Sequence, residues 1–128
     1  MNKLIIDVAD EKIFLMIITI SNIYNITHEN TKINYEKLTI IVNDFVLSKN
    51  LKISDISAIY VNKGPGSFAG IRNSIAVVKA FNVAKNIDYF CYNLDNFKHE
   101  QDLSYENIPN LCKKYKIKKN LINPVYIS

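Results

Sequence analysis

Residues 61–74 read VNKGPGSFAGIRNS. They hold all three glycines of the chain, Gly64, Gly66 and Gly70, together with its only arginine, Arg72. An apolar, strand-like run, DISAIYVNK (55–63), enters this stretch, and a helix-spaced run leaves it, so it reads as a strand-to-helix corner. Pro65 fixes φ, while the flanking glycines allow positive φ or the close approach of another backbone. Such a corner also leaves N–H groups at a helix N-terminus, where the dipole favours an anion. The established phosphate loops do not fit the spacing. A Walker A loop would place glycine where Ala69 stands and lysine after it, and the Rossmann pattern would place its third glycine at 69 rather than 70. Turn and packing therefore come ahead of a phosphate cradle.

Arg72 falls in the first turn of the helix, where the dipole disfavours a cation by roughly 0.3–1 kcal/mol. The chain is rich in Ile, Asn, Lys, Tyr and Phe, a bias of the kind that codon composition imposes, so most lysines and asparagines carry little functional meaning. An arginine kept against both tendencies implies a fork-like contact with a carboxylate, a phosphate or backbone carbonyls.

Working outward, KLIIDVA (3–9), KIFLMIITIS (12–21) and IYNITHE (23–29) read as three strands in an antiparallel meander, with Ser21 and Asn22 at a tight turn. The period then changes. Leu38, Ile41, Val42 and Phe45 share one face of a helix over 35–49, with Asn34 as its expected N-cap and Glu36 in its first turn. A second helix is expected over 67–85, its apolar positions covering more than one face, so it lies between layers or beneath a partner. IDYFCY (87–92) is the fifth strand. The order βββαβαβ predicts an α/β architecture with helices on a mixed sheet. Beyond Tyr92 the chain turns polar, with room for one or two short helices, and ends in LINPVYIS (121–128), a candidate last strand.

With 128 residues the chain has the length of one domain. Its net charge of +4 arises largely from KKYKIKK (113–119), five lysines without an acid. Such a run suits either a polyanion or a solvated surface. No apolar run reaches the roughly 20 residues of a membrane span, and the opening MNKLIIDVAD lacks the pattern of a signal peptide. Cys91 and Cys112 lack CxxC spacing, so reduced thiols and a cytoplasmic location are expected.

Candidate chemistry is sparse. His28 and His99 are far apart and form no metal signature. Cys91 with His99 would be a nucleophile and base, yet Cys91 lies in an apolar strand, where a thiol is inert packing. Catalytic residues and a metal site are expected to be absent.

The stretch GPGSFAGIR, with LIIDVAD before it and NLDNF after it, resembles the hallmark of the TsaB (YeaZ) family, G-P-G-S-F/Y-T-G-[LVI]-R. Gly64, Pro65, Gly66, Ser67, Phe68, Gly70, Ile71 and Arg72 match, and Ala69 replaces the usual threonine. YEKLTIIVNDFV resembles the family's SEKLLPLIDEL segment, and INPVYIS its Pro-Val-Tyr-Leu ending. The resemblance covers residues 1–97. Asn34 and Tyr35 stand where the family has a histidine, and DVAD replaces its DTS.

This resemblance implies a single actin-like (ASKHA, ribonuclease H-like) lobe over 1–97, followed by a reduced remnant of a second lobe over 98–128. It implies a non-catalytic scaffold that binds TsaD, with TsaE, for threonylcarbamoyladenosine formation at position 37 of tRNAs reading ANN codons. ATP and Mg would then be used by the complex, with no cofactor bound to this subunit alone. Tyr35, Leu38, Val42, Arg72, Ile75 and Lys79 become the expected partner-binding residues, and without TsaD the same face is expected to form a homodimer. Asp7 becomes a vestigial nucleotide position, since actin-like ATPases place an aspartate there to position Mg and phosphate. The rival readings are a phosphate-binding ATPase or peptidase acting through Ser67, and a direct RNA binder acting through 113–119.

Overall fold

A computed structural model describes residues 1–122. Strands β1 (Asn2–Asp7), β2 (Lys12–Ile18) and β3 (Ile23–Glu29) form the expected meander. The β2–β3 turn is closed by Thr19 and Asn22, which exchange backbone and side-chain hydrogen bonds. Strands β4 (Ile56–Asn62) and β5 (Asp88–Tyr92) add in parallel on the other side of β1, so the sheet order is β3-β2-β1-β4-β5. The α/β reading therefore holds, with a mixed five-stranded sheet and β1 at its centre.

The helix expected over 35–49 is two helices, α1 (Lys32–Glu36) and α2 (Leu38–Ser48), which meet at Lys37. Asn34 is not the N-cap. Thr31 caps α1 by accepting from the Asn34 N–H, while the Asn34 side chain donates to the Glu29 carbonyl at 2.9 Å. That tether fixes the first turn to the end of β3, and the helical ladder breaks one turn later. Helix α3 runs Phe68–Lys85 and stops at Asn86, whose φ of 57° supplies a left-handed cap.

Central strand β1 reads Leu4-Ile5-Ile6 because both of its faces are covered. On one face Leu4, Ile6, Leu15, Ile59 and Val61 pack under Leu38, Val42, Phe45 and Val46 of α2 and Val77, Val78 and Phe81 of α3. On the other, Ile5, Met16, Tyr60 and Tyr92 lie beneath Phe97 and helix α4 (Ile108–Lys114), which contributes Ile108, Leu111 and Cys112. Each of these buried side chains contributes about 1.5–3 kcal/mol. The polar segment after Tyr92 is thus the third layer of the fold.

The outer margin of β5 is closed by Asn120: its N–H donates to the Tyr89 carbonyl at 2.7 Å, and its Oδ1 accepts from the Tyr89 N–H at 2.9 Å. The final strand expected over 121–128 falls largely on residues outside the described ones.

Within the second layer the Tyr92 hydroxyl is fully buried and has no hydrogen-bond partner among the described residues. Removing an unpaired buried hydroxyl relieves a desolvation cost. Tyr92→Phe is therefore expected to raise stability by about 1 kcal/mol, read as a higher urea midpoint at unchanged m-value.

Candidate functional site

The glycine corner is built against the loop that follows β1. Gly64 takes a φ of 108° and precedes a cis Pro65. The Asn62 side chain holds this turn by accepting from the Gly64 N–H at 3.0 Å. A Cβ on Gly66 would sit 2.3 Å from the Ala9 carbonyl oxygen, and one on Gly70 would sit 2.1 Å from that of Val8. The glycines are thus a close-approach device, which lets the first turn of α3 rest on the Val8–Ala9 backbone.

Several polar groups of the corner are occupied by the chain itself, although Asn30 Oδ1 is buried without a hydrogen-bond partner among the described residues. The Ser67 N–H donates to the Ala9 carbonyl at 2.9 Å, and the Ser67 hydroxyl caps α3 by accepting from the Gly70 N–H. Asn30 reaches across to donate to the Val8 and Asp10 carbonyls. These bonds favour turn and packing for Gly64, Pro65, Gly66, Ser67 and Gly70. Phe68 begins the helix with about half of its surface exposed.

Asp7 closes the same corner from below. Its Oδ1 accepts from the Ala9 N–H at 3.0 Å, and its Oδ2 from Asn62 Nδ2 at 3.2 Å and the Tyr105 hydroxyl at 2.8 Å. The Tyr105 ring stacks on Phe14 with centroids 4.0 Å apart. Burial, and then the Asp7 carboxylate, push the Tyr105 hydroxyl well above its ordinary pKa, so it stays a donor. Asp7 is therefore a buried junction between layers that also forms part of the wall of an open cleft, lined by Asp7, Asp10, Glu11, Lys12, Phe14, Thr27 and Tyr105. Among the described residues no three His, Cys, Asp or Glu side chains group as metal ligands. Asn62, Tyr105 and Asn30, which join corner, cleft and sheet, carried no signal in the sequence.

The thiols are poor nucleophiles. Burial pushes Cys91 up to about 11, against a smaller lowering by Lys63, and pushes Cys112 up to about 12. Cys91 lies in the helix-covered core while His99 is exposed, so the two do not form a catalytic pair.

The six expected partner-binding residues divide in two. Leu38, Val42 and Ile75 are mostly covered by the chain itself, Ile75 against Ala9 and Ile71, while Leu38 also lines the groove between the helices. Apolar spacing marks the face a helix buries, and here the chain's own sheet covers most of it. Arg72 and Lys79 are exposed, and Tyr35 is half-buried beside a groove between the helices. Among the described residues the Arg72 side chain makes no ion pair.

The outward face, which sequence spacing did not identify, is formed by Thr39 and the exposed Ile40 and Leu47 of α2 and by Ala76, Ala80 and Val83 of α3. On α3, Arg72, Ala76, Lys79, Ala80 and Val83 follow i, i+4, i+7, i+8 and i+11, which is one stripe. Val83 keeps 84% of its surface and Ile40 59%, so α3 is not enclosed by its own chain.

Two outcomes are expected here. Gly70→Ala should cost about 3 kcal/mol by forcing backbone apart, against about 1 kcal/mol for loss of the cap in Ser67→Ala, both measured by chemical denaturation. Iodoacetamide at pH 8 should leave Cys91 and Cys112 unlabelled in the native protein and alkylate both once it is unfolded, read by mass spectrometry.

Residues 26–93, more than half of the chain, match the family model for TsaD, tRNA N6-adenosine threonylcarbamoyltransferase. No curated protein sequence matches the chain. Among solved structures, YeaZ from Pseudomonas aeruginosa superposes with a TM-score of 0.66 at 19% identity, over 78% of this chain and 49% of that one. A second structure, of an uncharacterized protein with similarity to peptidase YeaZ from Pseudomonas aeruginosa, gives the same TM-score and coverage at 21% identity. RuvC from T. thermophilus, in complex with a Holliday junction substrate, gives 0.53 at 10% identity over 96% of this chain and 83% of that one. These likenesses establish the fold, and the chain spans about half the length of the YeaZ structures. The chain belongs to the TsaD family and is a TsaB (YeaZ)-like protein.

Proposed function

We propose that this protein is a non-catalytic subunit of the machinery that forms threonylcarbamoyladenosine at position 37 of ANN-decoding tRNAs, and that it docks a TsaD-type catalytic subunit. The observation that carries this reading is the outward face of α2 and α3. Small residues, Ala76 and Ala80, share the exposed stripe of α3 with Val83, Arg72 and Lys79, and Ile40 and Leu47 are exposed on α2. Alanines let a second helix approach closely, and exposed aliphatic side chains contribute once covered. Arg72, without an ion-pair partner among the described residues, is suited to a bidentate contact with a carboxylate across that junction.

In this reading TsaE joins the pair, and ATP and Mg are used by the assembly. tRNA is met through the complex. Residues 1–97 are the docking lobe, and 98–128 are what remains of a second lobe, part of it serving as cover for the far side of the sheet. In the absence of TsaD the same face pairs two copies. A phosphate-binding or peptidase role through Ser67 is disfavoured by its hydroxyl's use as a helix cap.

Co-purification with the TsaD of the same organism tests the proposal. Val83→Glu and Ala76→Glu, both at exposed positions, should abolish capture while leaving thermal unfolding unchanged. Arg72→Ala should weaken it about tenfold or more, as expected for the loss of a charge-assisted contact of about 1.5–3 kcal/mol. Undiminished capture by both glutamate variants would overturn the docking face. Hydrolysis of ATP or peptide by the purified chain alone, lost in Ser67→Ala, would overturn the non-catalytic role.

A further inference from the structure

The lysine run 113–119 has no part in the docking face, and the structure sorts its five members. Lys114 pairs with Glu100 at 2.5 Å and Lys119 with Asp88 at 3.5 Å. Lys113, Lys116 and Lys118 have no ion-pair partner among the described residues. These three line two adjoining grooves that share Lys116 and Ile117. One groove is also lined by Lys3 and by Tyr60 and Phe90, whose rings stack, and the other by Lys63. No acidic side chain lines either groove. Five lysines without an ion-pair partner among the described residues thus gather around two grooves beside α4 and β5, which share no residue with the groove between α2 and α3.

A second, independent observation concerns Lys116. Among the described residues four non-glycine residues take positive φ, and three of them are asparagines, Asn50, Asn86 and Asn120. The fourth is Lys116, at 55°, just beyond the end of α4, where its N–H donates to the Lys113 carbonyl. Left-handed backbone suits glycine or asparagine and is strained for a long side chain. A chain that otherwise uses asparagine at such turns keeps a lysine where the two grooves meet, and strain retained in this way points to a use for the side chain.

We infer that Lys3, Lys63, Lys113, Lys116 and Lys118 form a binding surface for the phosphate backbone of RNA. Lysine ammonium groups neutralise successive phosphates with release of counterions, and Phe90 at the groove floor gives an apolar ring beside them. The choice of RNA over other polyanions rests on the tRNA-modification reading above. The surface itself rests on charge and geometry alone. With both in place, one subunit would present its helices to a protein and its far side to the nucleic acid.

The test is fluorescence anisotropy with an unmodified tRNA transcript over a series of salt concentrations. Lys113→Gln, Lys116→Asn and Lys118→Gln are combined in one variant, in which Lys116→Asn should raise Tm by relieving the left-handed turn. This variant should lower affinity at least tenfold in low salt and reduce the slope of log K against log salt by about two to three. A charge-matched control, Lys32→Gln, Lys52→Gln and Lys85→Gln, removes lysines that line neither groove and should change the slope by less than one. Equal losses in the two variants would mean diffuse attraction and would overturn the site. So would unchanged affinity in the first variant, or anionic phosphatidylserine vesicles outcompeting the transcript, which would assign the surface to a membrane. Capture of TsaD by the first variant should stay intact, so failure here and failure of the docking proposal are told apart.

Discussion

The whole arrangement depends on one contact between backbones. The first turn of α3 lies directly on the Val8 and Ala9 carbonyls, a separation that no residue with a Cβ at 66 or 70 would tolerate. From that contact follow the angle at which α3 crosses the sheet, the seating of Ile71 and Ile75 against Ala9, and the outward aim of Arg72, Ala76 and Val83. Ser67 contributes in two ways, its amide to the loop and its hydroxyl to the helix. The chain's three glycines are concentrated where a close approach of backbones or a positive φ requires them.

Asp7 is the polar counterpart of this contact. A carboxylate with only 7% of its surface exposed needs its lone pairs filled, and it draws donors from three separate elements: the loop after β1, the end of β4 and the short turn before α4. The residue that ends the first strand thereby connects the helical layer's corner to the opposite layer. In a lobe of this size such a junction specifies register as well as adding stability, because an unfilled partner position would leave a charge stranded.

The sequence carried the order of strands and helices well, since the change of period from two to 3.6 and the glycine cluster are local signals. It misplaced the start of the first helix because two neighbouring residues both suit a cap: Thr31 takes that role, and the Asn34 side chain turns back to the Glu29 carbonyl instead. Leu38, Val42 and Ile75 stood out by their spacing, yet spacing identifies a buried face and says nothing of what buries it. The outward stripe on α3 is mostly alanine, arginine and lysine, residues as common on any solvated helix, so only coordinates reveal it. Tyr105 was invisible for a different reason: it lies in a polar, aperiodic segment and meets Asp7 across 98 positions.

That separation bears on how the protein comes to be made. Ile5 and Met16 are synthesised well before their cover, Phe97 through Cys112, which follows them in the chain by more than 80 positions. Until then one side of a finished sheet lies bare and greasy beside other nascent chains, a state that invites aggregation. Contacts so distant along the chain are slow to close. The later segment therefore acts as the latch of the earlier strands, and the time spent unlatched is the chain's vulnerable interval in the cell.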